Sequence, residues 1–393
     1  MNILLVHNSY QQPGGEDRVF QMEADLLRSH SHRVILYQSH NDDVSRSGRA
    51  VLFAKTIWNR QSYSELRRVI RDKKIDLVHL HNTFPLISPS AYYAAAAERV
   101  PVVQTLHNYR LLCPAATLYR DGRICEACVG QSIALPAVLH SCYRASRSAS
   151  FASTAMLASH RVAGTWQHKV STYIALTDFA REKFIEGGLP EARIRVKPNF
   201  IDPDPGVGPG TGKYALFMGR LTPEKGVRTL LEAWKILHGA MPLEIAGEGP
   251  LVGETRAAAA QIPNVFLRGW MPRQHLQEMI RQAAVVIVPS EWYEPFGLTI
   301  AEAFAAGVPV IASRLGSLTS MVRHRETGLL FEAGRAADLA AQVRWLLSNP
   351  DESPAMRVNA RREFEENYTG ERNYQLLMSI YSDAQKDRDA GKA

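Results

Sequence analysis

Residues 283–313 leave this chain little choice of fold. They begin with an apolar run, AAVVIV (Ala283 to Val288), and continue PSEWYEPFGLTIAEAFAAGVPVIAS from Pro289 to Ser313. An apolar run without polar alternation suits a strand buried on both faces of a parallel sheet. A loop bounded by Pro and Ser follows, then a helix-forming run from about Gly297 to Ala306, then a second buried strand over Pro309–Ala312. This is a strand–loop–helix–strand unit. The helix N-terminus offers unpaired N–H groups and partial positive charge, which suit a phosphate. Glu294 in the loop and Glu302 in the helix bracket that end, with seven residues between them. A carboxylate so placed can accept hydrogen bonds from vicinal hydroxyls, as on ribose.

The rest of the chain repeats the alternation, which predicts an α/β protein with parallel sheets. Strands are expected at Asn2–His7, Arg33–Tyr37, Asp76–His81, Pro101–Leu106 and Thr172–Leu176, with helices near Asp17–Arg28, Ser90–Ala97, Ser148–Val170 and Asp178–Glu186. The basic stretch from His40 to Lys74 reads as mostly helical. Val196–Lys213 is rich in Pro and Gly and reads as a linker. Beyond it the pattern restarts, with strands at Tyr214–Met218, Leu243–Ala246, Val265–Leu267, Ala284–Val288 and Val308–Ala312, and helix through about 335–387. At 393 residues two domains are the natural division. The expected boundaries are 1–197 and 198–369, with a last helix, about 370–388, returning to the first domain.

Apolar content of 46% and charged content of 22% are those of a globular protein. No apolar run approaches the ~18–20 residues that span a bilayer. MNILLVHNSY reads as a first strand rather than a leader, so a cytoplasmic location is the expectation. Residues 1–199 carry 25 Lys/Arg against 16 Asp/Glu, whereas the remainder carries 21 against 23. A basic half can meet nucleic acid, anionic lipid or a phosphorylated substrate, or simply be solvated. Nucleic acid is disfavoured, because no binding motif with interleaved aromatics accompanies the charge.

The first loop, NSYQQPGGEDR, lacks the G-x-G-x-x-G of a dinucleotide site and holds only Gly14 and Gly15 side by side. Adjacent glycines still let a backbone approach a ligand closely, although a tight turn needs them equally. His107 directly follows a buried strand, where open α/β sheets face their ligand crevice. His79 and His81 read as residues at the edge of the core, with His81 also ending near the crevice. Arg220 and Lys225 flank the loop after the strand Tyr214–Met218, where a forked guanidinium and a point-charge ammonium would suit a diphosphate. All four cysteines, Cys113, Cys125, Cys128 and Cys142, fall in an insertion at about 110–143, spaced C-x11-C-x2-C-x13-C. A structural zinc, free thiols, a redox pair and two disulfides are all compatible with that spacing.

The E-x7-E pair inside EPFGLTIAEAFAAGVPVIAS resembles the nucleotide-sugar motif of family-four retaining glycosyltransferases, which have the GT-B fold of two Rossmann-like domains around a central crevice. G-R-x-x-x-E-K-G, met here as GRLTPEKG, is similar to a second signature of that family. The resemblance covers nearly the whole chain except the cysteine insertion. It implies that the C-terminal domain holds a nucleotide-sugar donor and the N-terminal domain an acceptor. It implies donor contacts from Gly14, Gly15, Gly219, Arg220, Lys225, Gly247, Glu248, Glu294, Phe296, Gly297, Leu298 and Glu302. Glu294, His107, Arg220 and Lys225 would serve the transfer itself. Asn199 matches the family's P-N turn, and its local role is that of a turn residue.

No D-x-D motif follows a strand, so no cofactor is expected for catalysis and transfer should be metal-independent. The reading is a retaining, hexosyltransferase-like enzyme acting on a glycan or lipid-linked acceptor, in the synthesis of cell-surface polysaccharide or lipopolysaccharide. It would sit in the cytoplasm or peripherally at an anionic membrane surface. A nucleotide-sugar epimerase of the same fold would share the donor site without an acceptor, and a non-catalytic sugar-nucleotide-binding protein would share the fold alone.

Overall fold

The computed structural model describes residues 1–11, 14–44 and 48–390. Part of the basic stretch, residues 45–47, and two positions of the first loop, 12 and 13, lie outside them. The chain forms two units. One comprises Met1–Leu118, Cys125–Asn199 and Asn373–Ala393, the other Tyr119–Ile124 and Phe200–Arg372.

The first unit is built on six parallel strands: β1 (Asn2–Ser9), β2 (Arg33–His40), β3 (Leu77–Asn82), β4 (Val102–Thr105), β7 (Thr172–Ala175) and β8 (Ile194–Val196). Between β4 and β7 the chain makes a short antiparallel hairpin, β5 (Tyr119–Arg120) and β6 (Arg123–Ile124), the piece of the cysteine insertion that groups with the second unit. The sheet order is β2-β1-β3-β4-β7-β8. The apolar run Ile3–Val6 is fully buried, as for a strand covered on both faces. The helix Gly15–Ser29 packs Phe20, Ala24 and Leu27 on Ile3 and Leu5, and the last helix, Gly370–Ala390, brings Leu377, Ile380, Tyr381 and Ala384 into the same core.

The second unit repeats the plan with β9 (Ala215–Met218), β10 (Leu243–Ala246), β11 (Val265–Gly269), β12 (Val285–Val288), β13 (Val310–Ser313) and β14 (Gly328–Phe331), ordered β11-β10-β9-β12-β13-β14 and parallel throughout. Its core centres on Trp234, whose indole N–H donates to the Met241 carbonyl at 2.8 Å. β14 does not stand out in the sequence. It is four residues long and opens on Gly328, whose missing side chain lets it lie against the β13 backbone at Val310.

In both orders the strand sequence reverses at one place, between β1 and β3 in the first unit and between β9 and β12 in the second. Open α/β sheets bind ligands beyond the carboxyl ends of the strands at such a switch point. The Gly14–Gly15 loop, Arg220–Lys225 and Ser290–Glu294 all follow strands that border one.

Candidate active site

In the second unit the chain leaves β9 through Gly219 and Arg220, makes a 3₁₀ turn at Pro223–Lys225 and starts the helix Val227–Leu237. Gly226, at φ +70°, lets this turn approach the loop after β12. A Cβ there would lie 1.8 Å from the Pro289 carbonyl oxygen, so only glycine permits the contact. The Glu291 N–H donates to the Glu224 carbonyl at 2.8 Å and locks the loops together.

Lys225 and Glu294, 69 residues apart, consequently meet. Lys225 Nζ lies 2.7 Å from Glu294 Oε1, and Ser290 Oγ donates to the same oxygen at 2.5 Å. Glu294 is buried, whereas Lys225 is 26% exposed and lies 5.5 Å from the Trp292 ring. The ammonium retains donors for an incoming anion. Arg220 is exposed, with no side-chain partner among the described residues. Gly247 and Glu248 follow β10. Gly247 N–H donates to Gly269, and the Glu248 carbonyl accepts from Leu221 N–H at 2.8 Å, so the GEGP turn lies on the Arg220 loop.

The helix Leu298–Ala305 begins one residue later than the sequence suggests. Its first N–H groups are partly spent inside the protein: Gly297 N–H on Met321 Sδ at 3.3 Å and Leu298 N–H on the Phe296 carbonyl at 3.1 Å. The helix dipole therefore has more to offer an anion than these two donors. Phe296 is buried edge-on against Tyr368. Glu302 lies on the helix's partly open face and borders a small cavity shared with Gln277 and Ile280, a lining that does not include Lys225 or Glu294.

In the first unit, Gly14 caps the helix Gly15–Ser29. Its N–H donates to Asp17 Oδ2 at 2.8 Å, while Asp17 Oδ1 meets His7 Nε2 at 2.9 Å. Burial by itself would raise the Asp17 pKa, but the His7 and Gly14 hydrogen bonds outweigh it and the pKa is lowered. Glu16 accepts from Tyr10 at 2.9 Å and Asn108 at 3.2 Å, and burial pushes its pKa up to about 6. His107 is half-buried and borders a cavity of about 40 Å³ with Thr83, Phe84, Asn108 and Arg110.

His79 and His81 are not at the core edge, as their alternation with Leu80 suggests, but buried within it. The reason is Glu23. It lies fully buried on the inner face of its helix and ties both rings down, His79 Nδ1 at 2.8 Å and His81 Nε2 at 3.2 Å. Lys197, also buried, lies 3.3 Å from the second Glu23 oxygen. Asn199, in its Pro-Asn turn, is 5% exposed.

Cys113, Cys125, Cys128 and Cys142 all lie in the first unit, and none is in a disulfide. Burial, then the nearby Cys113, pushes the Cys128 thiol up to about 11, with Cys142 and Cys125 adding smaller effects. Zinc-bound thiolates lie ~2.3 Å from the metal. Among the described residues no three sulfurs come within 4.8 Å of one another, so as placed the four do not close around a point.

Family models cover both units. One for glycosyl transferases group 1 matches residues 202–363, and one for glycosyltransferase family 4 matches residues 13–205. The chain belongs to the group 1 glycosyltransferases. This glycosyltransferase is 26% identical to the phosphatidyl-myo-inositol mannosyltransferase of Mycobacterium leprae over 87% of its own length and 86% of that protein. Its fold matches that of Anabaena Alr3699/HepE in complex with UDP, with a TM-score of 0.69 at 17% identity over 97% and 100% of the two chains. It also matches the lipopolysaccharide outer core galactosyltransferase WaaB, with a TM-score of 0.60 at 16% identity and full coverage of both. The two parallel, Rossmann-like sheets give this glycosyltransferase the GT-B fold.

Ser290, Trp292, Glu16, Glu23 and Lys197 escape a reading of the sequence. Ser290 and Trp292 sit inside PSEWYEPF, and their proximity to the E-P-F-G motif was the available signal. Glu23 had a subtler one: it takes a core-facing position between Phe20 and Leu27, where an apolar residue is expected.

Proposed function

We propose that this enzyme transfers a sugar, with retention of anomeric configuration, from a nucleoside-diphosphate sugar held by the second unit to a glycan or lipid-linked acceptor met by the first. The Lys225–Glu294 contact carries this reading. It sets an adaptable cation and a buried carboxylate side by side at the switch point of the sheet, suited to a leaving diphosphate and to sugar hydroxyls respectively. Arg220 adds a second cation, and Glu302 would accept the ribose hydroxyls. That a relative's structure contains UDP supports a nucleotide donor.

Thermal shift with UDP-, GDP- and ADP-sugars tests it, because a ligand that binds the folded state raises stability by mass action. One nucleotide class should raise the melting temperature. Glu302→Ala should weaken that binding by about 2–3 kcal/mol, the scale of lost charge-assisted hydrogen bonds. Lys225→Ala should depress turnover more than donor affinity, since charge on the leaving group grows toward the transition state. Unaltered donor binding in Glu302→Ala with Arg220→Ala would sink the assignment.

A membrane-linked acceptor is favoured by the first unit's surface. Val51, Ile133, Leu135, Leu139, Phe151 and Val162 are all more than half exposed, and Arg144 and Arg147 are exposed among them. The helices that carry Val51, Leu135 and Phe151 pack together, with the Phe53 and Phe151 rings stacked at 5.7 Å. No helix among the described residues is long and apolar enough to cross a membrane. Anionic liposomes should bind the protein at low salt, each basic residue near the surface contributing on the order of 1 kcal/mol. Binding equal in Leu139→Glu and wild type would remove this surface from the reading.

A further inference from the structure

The buried cluster around Glu23 takes no part in the function proposed above, yet it reaches His107. Glu23 Oε2 faces Lys197 Nζ at 3.3 Å, and Lys197 in turn meets Asn373 Oδ1 at 3.0 Å. Glu23 Oε1 meets His81 Nε2 at 3.2 Å, and His81 Nδ1 meets His107 Nε2 at 2.8 Å, with the two imidazole planes 19° apart. We propose that Glu23 and His81 are positioning residues that fix His107 in the tautomer protonated on Nε2, so that the ring presents Nδ1, a hydrogen-bond acceptor, to the ligand. This rests on the reading of His107 as a site residue.

The direction of the chain follows from its buried end. Burial alone would raise the Glu23 pKa, but His79, Lys197 and His81 outweigh it and hold the group well below the usual carboxylate range. An ionised carboxylate accepts only, so His81 must donate from Nε2. Burial holds the His81 imidazole neutral, its pKa pulled down to about 3. A neutral ring protonated on Nε2 has a bare Nδ1, which can only accept. His107 must therefore donate from its own Nε2. Burial, with His81 next to it, also keeps His107 uncharged, which leaves its lone pair on Nδ1. With His81 neutral, no other pattern satisfies both contacts, because the carboxylate has no proton to give.

The same cluster could be mistaken for a metal centre, since ligand atoms of Glu23, His79 and His81 lie within 4.8 Å of one another. Its donors are already used. Lys197 supplies the positive charge at Glu23, and His79 meets Tyr381 OH and Thr105 Oγ1, each at 2.7 Å. A dication would stand against an ammonium. The network is built for protons, and an acceptor nitrogen on His107 suits a sugar hydroxyl.

The test is ¹⁵N NMR of the full chain labelled at histidine, with the His107 signals assigned by their loss in His107→Gln. Imidazole ¹⁵N shifts distinguish the tautomers without any substrate. The wild type should show His107 protonated on Nε2; a signature of protonation on Nδ1 overturns the proposal outright. The double variant Glu23→Gln with Lys197→Met removes both buried charges together and frees the bias, so His107 should exchange between tautomers. Its kcat should fall about a hundredfold, the scale of a misplaced catalytic group, with donor KM within about threefold of wild type. A fixed Nε2–H signature in the double variant would also overturn it. Should the wild type transfer no sugar while the NMR signature holds, the function proposed above falls and the tautomer assignment stands.

Discussion

On and around β1 and β3 the first unit encloses His7, His79, His81, Glu23 and Lys197 away from solvent, whereas beyond β9 and β12 the second unit leaves Arg220 exposed and Lys225 partly so. Both are switch points of parallel sheets with the same plan. The first stores its polar groups in a low-dielectric interior, where each partner must be present and correctly protonated. The second keeps its cations near water, where they can change partner when an anion arrives. One end is a fixed template and the other an adaptable grip, from one architecture.

Stability measurements can break that comparison. Glu23→Ala leaves Lys197, 1% exposed, without its counter-charge, and removal of one member of a buried pair costs about 3–5 kcal/mol. Urea unfolding should register that loss. The acid limb comes next. The unfolded chain protonates its histidines near the ordinary value of ~6.5, whereas folded His81 resists until about 3. The stability it contributes is complete above the unfolded value and disappears as pH falls from there toward 3. The slope is ~1.4 kcal/mol per pH unit for that group. His107 is shifted in the same direction, and the lowered Glu23 pKa extends the loss below the carboxylate range. A flat profile between pH 6.5 and 4 would contradict a neutral, buried His81. The smallest effect should be that of Lys225→Ala, since its ammonium is partly solvated: about 1 kcal/mol or less. Losses of equal size in Glu23→Ala and Lys225→Ala would dissolve the distinction.

The sequence shows the second unit's site more readily than the first's, for a physical reason. Arg220, Lys225, Glu294 and Glu302 lie in short loops and one helix beside apolar strands, so local pattern places them at strand ends. The Glu23 network draws on positions 174 residues apart, and nothing local reveals that a charge is buried until its partner is found. The two sheets themselves were legible, because strands covered on both faces must be apolar throughout. β8, β14 and the hairpin β5–β6 were not: β8 and the hairpin strands have only three and two residues, and β14 opens on Gly328 after a charged, polar stretch.

The last helix also orders events during synthesis. Leu377, Ile380 and Tyr381 belong to the core of the first unit, and Tyr381 holds His79, yet they are translated after every residue of the second. When Asn199 leaves the ribosome, the first unit's sheet is complete but one side of its hydrophobic core is still open. The second unit, closed by Arg372, can fold before that gap is filled. The part of the enzyme made first is thus the part that matures last, and a nascent chain arrested before Asn373 would expose the Ile3–Leu5–Val103 surface to chaperones.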